Sequence, residues 1–408
     1  MDDGKSGKRA ARLLLLLLFT VSTFAQIDPE KRQLVHLGYN QPIQGDAPLA
    51  AYGFYYQNQP NFLNHSNLTL RLAIAPVYVD SELGFIGLLG PNTDPAVGLA
   101  GGAYADSYFE IRRGDYLRSE SFDGHGVELS SSIYHRFNPD AEIPLNGIVR
   151  AAGRTHWYEE TDDTSPLFVV PDDFQTLYLR VGMRYGGREP SMTAPLAMEL
   201  SVWYEGHFRT GAGVYGFTGD RRVVSHTHMF WSRAMLKYTF PESRQYFDAS
   251  LTLGIAANPD RLSAFRIGGY LPFVAEFPLN IPGYYYQEIS ADRFALLNFL
   301  YSFPIEPSKN FSGSVFAATG AVDYLTPLAQ PGYWHSGVGG GLTYTSPRGT
   351  WLISLIYGHG FDALREDGRG SDQVGVVFQY DFGARRSIRP FRPNVNPYGS
   401  RGGEQIFR

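Results

Sequence analysis

The sequence predicts an all-β fold, a transmembrane antiparallel β-barrel of 16 strands, and three observations carry that prediction. The stretch Asp372 to Phe382 alternates without a break. Val374, Val376, Phe378, Tyr380 and Phe382 share one face, and Gln373, Gly375, Val377, Gln379 and Asp381 the other. This is the period-two pattern of a strand with one apolar and one polar face. The second observation is an export signal at the amino terminus. The third is composition: 15% aromatic residues with 27 Tyr and 28 Phe, but only 18% charged, which suits aromatic girdles at two membrane interfaces.

Residues 1–25 read as the signal. Lys5, Lys8, Arg9 and Arg12 precede the apolar run Leu13 to Leu18, and Thr23-Phe24-Ala25 supplies small residues at the cleavage site. The run is too short to cross a bilayer, and no later stretch reaches the roughly 20 apolar residues a membrane helix needs. No Cys occurs anywhere, which excludes disulfides, a lipid-anchored cysteine and thiolate metal sites. With Asp2 and Asp3 counted, the signal carries a net +2. Removing it takes the formal charge from −5 to about −7, which is no nucleic-acid footprint. A mean hydropathy of −0.22 is compatible with a barrel, whose apolar residues alternate with lumen-facing polar ones.

Residues 26–382 then supply the barrel. After Gln33 to Tyr39 and 50–57, Leu68, Leu70, Leu72 and Ile74 alternate with Thr69, Arg71, Ala73 and Ala75. Further candidates are 103–113, 125–136 and 146–158. Leu177 to Tyr185 and Leu196 to Tyr204 alternate clearly, followed by 229–240, Leu251 to Ile255 and 264–270. Segments 293–303, 313–322, 336–345 and Trp351 to Tyr357 precede the closing strand. Strands of ~10 residues with turns fill this length as 16 strands. Pro241 to Arg244 and Ser346 to Gly349 read as tight turns, while 158–173, 209–226, 256–264, 324–335 and 360–371 read as long external loops. Asp123-Gly124-His125-Gly126 reads as a turn. Residues 383–408 carry Arg385, Arg386, Arg389, Arg392, Arg401 and Arg408 without apolar periodicity and read as a solvated periplasmic tail.

The chain offers little chemistry. It has no G-x-S-x-G elbow, H-E-x-x-H or phosphate loop, so no enzyme and no cofactor is expected. His226 and His228 share a strand face but lack an evident third metal ligand, and Glu159, Glu160, Asp162 and Asp163 form an acidic loop. The inward charges say more. Arg150 with Arg154, Arg180 with Arg184, and Arg233 with Lys237 are same-face pairs, answered by Glu199 and Glu205. Charges of this kind belong in a lumen, not on the lipid face. They either favour anions or are paired struts that hold the barrel round.

From about Arg261 to Phe382 the chain resembles the bacterial surface-antigen superfamily, the BamA and TamA type of outer-membrane barrel and its two-partner secretion relatives. Phe265-Arg266-Ile267-Gly268-Gly269, Gly283 to Ser290 with Tyr301-Ser302-Phe303-Pro304, Phe316 to Gly320, and Ser336 to Gly339 with Ser346 to Gly349 follow the family's motifs in order. Gln373, Gly375, Phe378, Tyr380 and Phe382 look like the insertion signal read by bacterial barrel-assembly machinery. The resemblance implies a bacterial outer-membrane location, contact with outer-membrane lipid, and a lumen loop tipped by Arg-Gly-aromatic. Here the tip is Pro282-Gly283-Tyr284, and the family's partner Asp is Ala318. The joint loss predicts a loop that remains but is not locked by charge. The few residues between Gln26 and Gln33 leave no room for the family's periplasmic POTRA modules. The expected function is therefore protein assembly or translocation with a separate periplasmic subunit. The alternatives are a passive, porin-like diffusion channel and a structural or surface-interaction barrel.

Overall fold

The computed structural model describes residue 27 and residues 31–141, 143–187, 196–269, 277–308 and 310–383. Residues 1–25, and the tail beyond Gly383, lie outside that set. Within it the chain builds sixteen long strands: β1 (Arg32–Pro42), β2 (Ala50–Pro60), β3 (Leu68–Ile74), β4 (Tyr78–Phe85), β5 (Thr93–Gly102), β6 (Phe122–Arg136), β7 (Leu145–Glu160) and β8 (Phe174–Gly186). There follow β9 (Leu196–Arg209), β10 (His226–Thr239), β11 (Tyr246–Ala257), β12 (Ile289–Pro304), β13 (Phe311–Tyr324), β14 (Trp334–Thr345), β15 (Trp351–Arg365) and β16 (Gly368–Asp381).

Each strand pairs antiparallel with the next, and β16 pairs with β1 from Leu34↔Asp381 to Pro42↔Gln373. The ring is closed and leaves no edge, as a lipid-embedded sheet requires. An even strand number puts both ends of the barrel at one rim. The long connections after β5, β7, β9 and β11 leave from the opposite rim. Outward residues such as Leu37, Val97, Leu99, Leu129, Leu200 and Leu355 are exposed and apolar, which makes the lipid-facing belt of an outer-membrane barrel.

The strand count agrees with the sequence reading, but two members differ. Residues 103–113 and 264–270 are not barrel strands. The first lies in the long connection after β5; in the second, whose Tyr270 lies outside the described residues, Phe265–Ile267 pairs with the start of β12 and Gly268 bridges to Asn280. In their place stand β4 and β5. β4 hides its alternation because inward Asp80 and Glu82 meet Arg71, and β5 carries Pro95 with Gly98, Gly101 and Gly102, which read as breakers. Two corrections lie near the upper rim. Asp123 to Gly126 sits inside β6 rather than in a turn. A Cβ on Gly124 or Gly126 would collide with Asp106, so the glycines admit that loop residue into the lumen. Residues 360–371 are likewise not a loop. β15 and β16 continue through them to a hairpin at Glu366 and Asp367.

Candidate functional site: a lumen loop locked to the closing strands

The connection between β11 and β12 turns back into the barrel. Gly268 and Gly269 hold its returning arm by backbone bonds (Gly268 N to Leu279 O 3.0 Å, Gly269 N to Tyr285 O 2.7 Å). Ile281, Tyr284 and Tyr285 are completely buried; Ile281 and Tyr284 belong to an apolar cluster that includes Ile267, Ile289, Leu296, Ala318, Val322 and Ala363. The tip Pro282-Gly283-Tyr284 lies against β14, β15 and β16. Gly283 has φ +85°, and a Cβ there would collide with the Gly360 nitrogen, so only glycine fits. A Cβ on Gly337 would meet the Pro282 carbonyl, and one on Gly358 the Pro282 ring. The glycines of the wall thus make the groove in which the tip sits.

The predicted absence of a charge lock is wrong. Glu288, four residues past the tip's Tyr284, accepts two hydrogen bonds from Arg365 of β15, each 3.0 Å. Both side chains are buried. Arg365 also stacks over the Tyr285 ring at 3.6 Å and donates to the Gly283 carbonyl at 3.3 Å and to Ser371 Oγ at 3.0 Å. The polarity is the reverse of the family's: the loop brings the acid and the wall the base. Arg365 points inward because the β15–β16 register shifts between Gly360 and Leu364. Up to Gly360 the even-numbered residues of β15 face the lumen; beyond the irregularity Ala363 and Arg365 do, which is how a β-bulge re-aims a side chain. Tyr284 adds a second tie, with its hydroxyl 2.8 Å from His335 Nδ1 of β14. Burial pushes the Tyr285 phenol up to about 12, so it stays a hydrogen-bond donor.

That donor reaches the seam. Tyr285 OH donates to the Gln44 carbonyl at 3.0 Å, just past β1. The Gln44 side chain exchanges two bonds with Asp372 of β16: Nε2 to Oδ2 at 2.8 Å, and the Asp372 amide to Oε1 at 2.6 Å. Asp372 Oδ1 also accepts from Tyr357 OH at 2.5 Å and lies 2.8 Å from His359 Nδ1. Loop tip, first hairpin and last strand are therefore one hydrogen-bonded unit at the upper end of the β1–β16 junction. Below it, nine paired rows zip the seam.

The inward charges lie where the alternation puts them, and each arginine faces carboxylates on neighbouring strands or loops. Arg150 meets Glu128 at 2.9 Å, Arg154 meets Asp106 at 2.6 Å, Arg180 meets Glu205 at 2.5 Å, and Arg233 and Arg184 share Glu199 at 2.7 and 3.8 Å. Lys237 lies over the Tyr246 ring at 4.8 Å. A cavity of about 340 Å³ remains among Arg150, Arg180, Glu205, Trp203 and Trp231. Of the closing-strand residues, Gln373 faces inward and is buried, while Tyr380 and Phe382 pack edge to face at the lower rim (4.8 Å). His228 Nδ1 lies 2.9 Å from Tyr204 OH; among the described residues no group of three side chains could hold a metal.

No family model and no curated protein sequence matches the chain. Solved structures do. CdiB from Acinetobacter baumannii superposes with a TM-score of 0.59 at 11% identity, over 86% of this chain and 60% of that one. CdiB from Escherichia coli gives 0.56 at 11%, over 87% and 64%. BamA from Haemophilus ducreyi lacking POTRA domains 1–3 gives 0.54 at 10%, over 92% and 79%. The fold is that of the BamA and CdiB outer-membrane barrels. This chain spans less than two thirds of either CdiB. The surface-antigen resemblance of residues 261–382 thus coincides with a likeness of fold over most of the chain. Gln44 lies outside every motif quoted above, and Arg365 falls in a stretch that reads as loop; Glu288 lies within Gly283 to Ser290 and Asp372 opens the closing strand, but neither pattern points to a partner.

Proposed function

We propose that this barrel acts in the assembly or translocation of other proteins at the bacterial outer membrane, together with a separate periplasmic subunit. The observation that carries the reading is the chain of contacts Arg365–Glu288, Tyr285–Gln44 and Gln44–Asp372. Through it, any displacement of the lumen loop acts on the seam, the one junction that joins the two ends of the sheet. Opening the seam requires release of the Gln44 clasp and then of its paired rows. The lumen charges serve in this reading as struts: cross-strand ion pairs that keep the wall round when the tip moves. Residues 1–25 act as the export signal, Gln373, Gly375, Phe378, Tyr380 and Phe382 as the insertion signal, and 383–408 as a solvated periplasmic tail. The protein is a conduit or assembly surface and not an enzyme.

Single-channel recording of the folded protein in planar bilayers tests this against a passive diffusion channel. The expected record is brief, irregular openings that become longer and more frequent in Glu288→Gln. Stable, uniform conductance steps that Glu288→Gln leaves unchanged would overturn the reading in favour of a channel.

A further inference from the structure

The cavity of about 340 Å³ lies between the lumen loop and the wall, and neither the loop lock nor the seam clasp uses it. The loop contributes Leu262, Phe265, Phe277 and Leu279, and the wall Ile148 of β7 and Phe294 of β12. Two further lining residues, Trp203 of β9 and Trp231 of β10, are cross-strand neighbours whose rings stand 6.2 Å apart and 9° from parallel. Phe277 meets both edge to face, at 5.3 and 5.7 Å. Apolar and aromatic walls with a few placed polar groups are the ordinary make-up of a small-molecule site of this size. An apolar cavity of about 150 Å³ takes one benzene ring, so this one has room for a bicyclic molecule.

Charge decides the class of molecule. Three arginines and three carboxylates line the cavity, and they pair among themselves: Arg150 with Glu128 at 2.9 Å, Arg154 with Asp106 at 2.6 Å, and Arg180 with Glu205 at 2.5 Å. An ionic ligand would lose its water there and find no counter-charge left over, so the site favours a neutral one. Polar atoms without partners then say what that molecule carries. Trp203 and His207 are more than nine-tenths buried, and both line the cavity with Trp231. Among the described residues the Nε1 of each indole and the Nδ1 of His207 have no hydrogen-bond partner, although buried polar groups are nearly always satisfied. The indoles are donors only. His207 directs Nε2 at Glu205 Oε1, 2.8 Å away, which leaves Nδ1 of the neutral ring as an acceptor. An oxygen acceptor and an N–H or O–H donor on one flat apolar body answer all three atoms, as in an aromatic carboxamide.

We propose that this cavity binds a neutral, ring-bearing small molecule with both a hydrogen-bond acceptor and a donor, held between the lumen loop and the wall. The proposal does not depend on the assembly reading, since binding is measured directly and not through conductance. The test uses the full-length folded protein in lipid nanodiscs, with empty nanodiscs as the blank. Three ligands of one shape are compared: naphthamide, naphthoate and naphthylmethylammonium, all substituted at the same ring carbon. Equilibrium dialysis should show saturable binding of the amide, and binding of the anion and of the cation weaker by about tenfold or more. Trp203→Phe keeps an aromatic ring but removes a donor, and affinity for the amide should fall about fivefold. Ile148→Trp fills the cavity and should abolish binding, while the heat-dependent gel mobility of a folded barrel is unchanged. No saturable binding of the amide, equal binding of the three ligands, or amide binding that survives Ile148→Trp in a folded barrel would overturn the proposal. Should Ile148→Trp not fold, Trp203→Phe decides alone: undiminished affinity for the amide would place the ligand elsewhere and overturn it.

Discussion

Arg365 of β15 presents both terminal guanidinium nitrogens to Glu288 of the lumen loop at 3.0 Å, and neither side chain is more than 4% exposed. An ion pair this dry gains its Coulomb energy against a large desolvation cost, so it is worth little relative to an apolar pair. Breaking it from one side is another matter. Glu288→Gln or Arg365→Met alone should cost about 3–5 kcal/mol, because a buried charge is left without its partner. The double variant Glu288→Leu, Arg365→Met should recover most of that loss. Urea unfolding followed by gel mobility measures both. A double variant no better than the singles would mean that the pair supplies more than mutual neutralisation.

The loop tip itself depends on one backbone geometry. Gly283→Ala would force a side chain into the left-handed region and into the Gly360 amide. We expect the barrel to fold but the tip to leave its groove, which exposes Arg261 and Arg266 on the same connection. Limited trypsin digestion should then cut between residues 261 and 267 in the variant and not in the parent. Retained protection would show that the tip tolerates displacement without undocking.

How far the sequence reveals this arrangement differs between wall and site. Strands with an aliphatic lipid face, such as β8 and β9, are legible because lipid on one side and water on the other impose a strict period of two. β5 is not, since its lumen-facing positions are small and Pro95 sits within it. The site is less legible still. Pro282-Gly283-Tyr284 locates the tip through a family resemblance, but the residue that anchors it depends on the register shift after Gly360. A single extra residue in a strand reverses every side chain beyond it, and no local pattern announces it. Charge reversal hides the lock further. A search for the family's loop arginine and strand aspartate finds Pro282 and Ala318, while the working pair lies elsewhere.

The seam clasp makes a local prediction. Asp372→Ala removes the acceptor for the Gln44 side chain, Tyr357 and His359 together. Amide exchange should rise along residues 34–42 of β1, the rows zipped against β16, while β7 and β8 stay protected. Exchange that rises equally around the ring would mean that Asp372 supports the barrel as a whole. In that event the coupling of tip to seam loses its mechanical basis.

The first hairpin loop carries a pH-dependent tie outside the membrane. Arg118 grips Asp46 with two bonds of 2.8 Å, and that hydrogen bonding holds the Asp46 carboxyl below its ordinary value. A group depressed in the folded state stabilises it above the unfolded pKa of about 4, and the contribution disappears as pH falls through the folded value. Both side chains are about half exposed, so solvent screens the pair and its effect stays local. Acidification below about pH 4 should therefore loosen residues 43–49 without unfolding the barrel, read as faster proteolysis or exchange of that loop. Arg118→Gln should loosen the loop at neutral pH and remove most of the acid dependence. If the variant keeps the full acid response, the responsible carboxylate is not Asp46. Because Gln44 lies in the same loop and clasps Asp372, the same experiment also reads whether loosening this external tie weakens the seam from above.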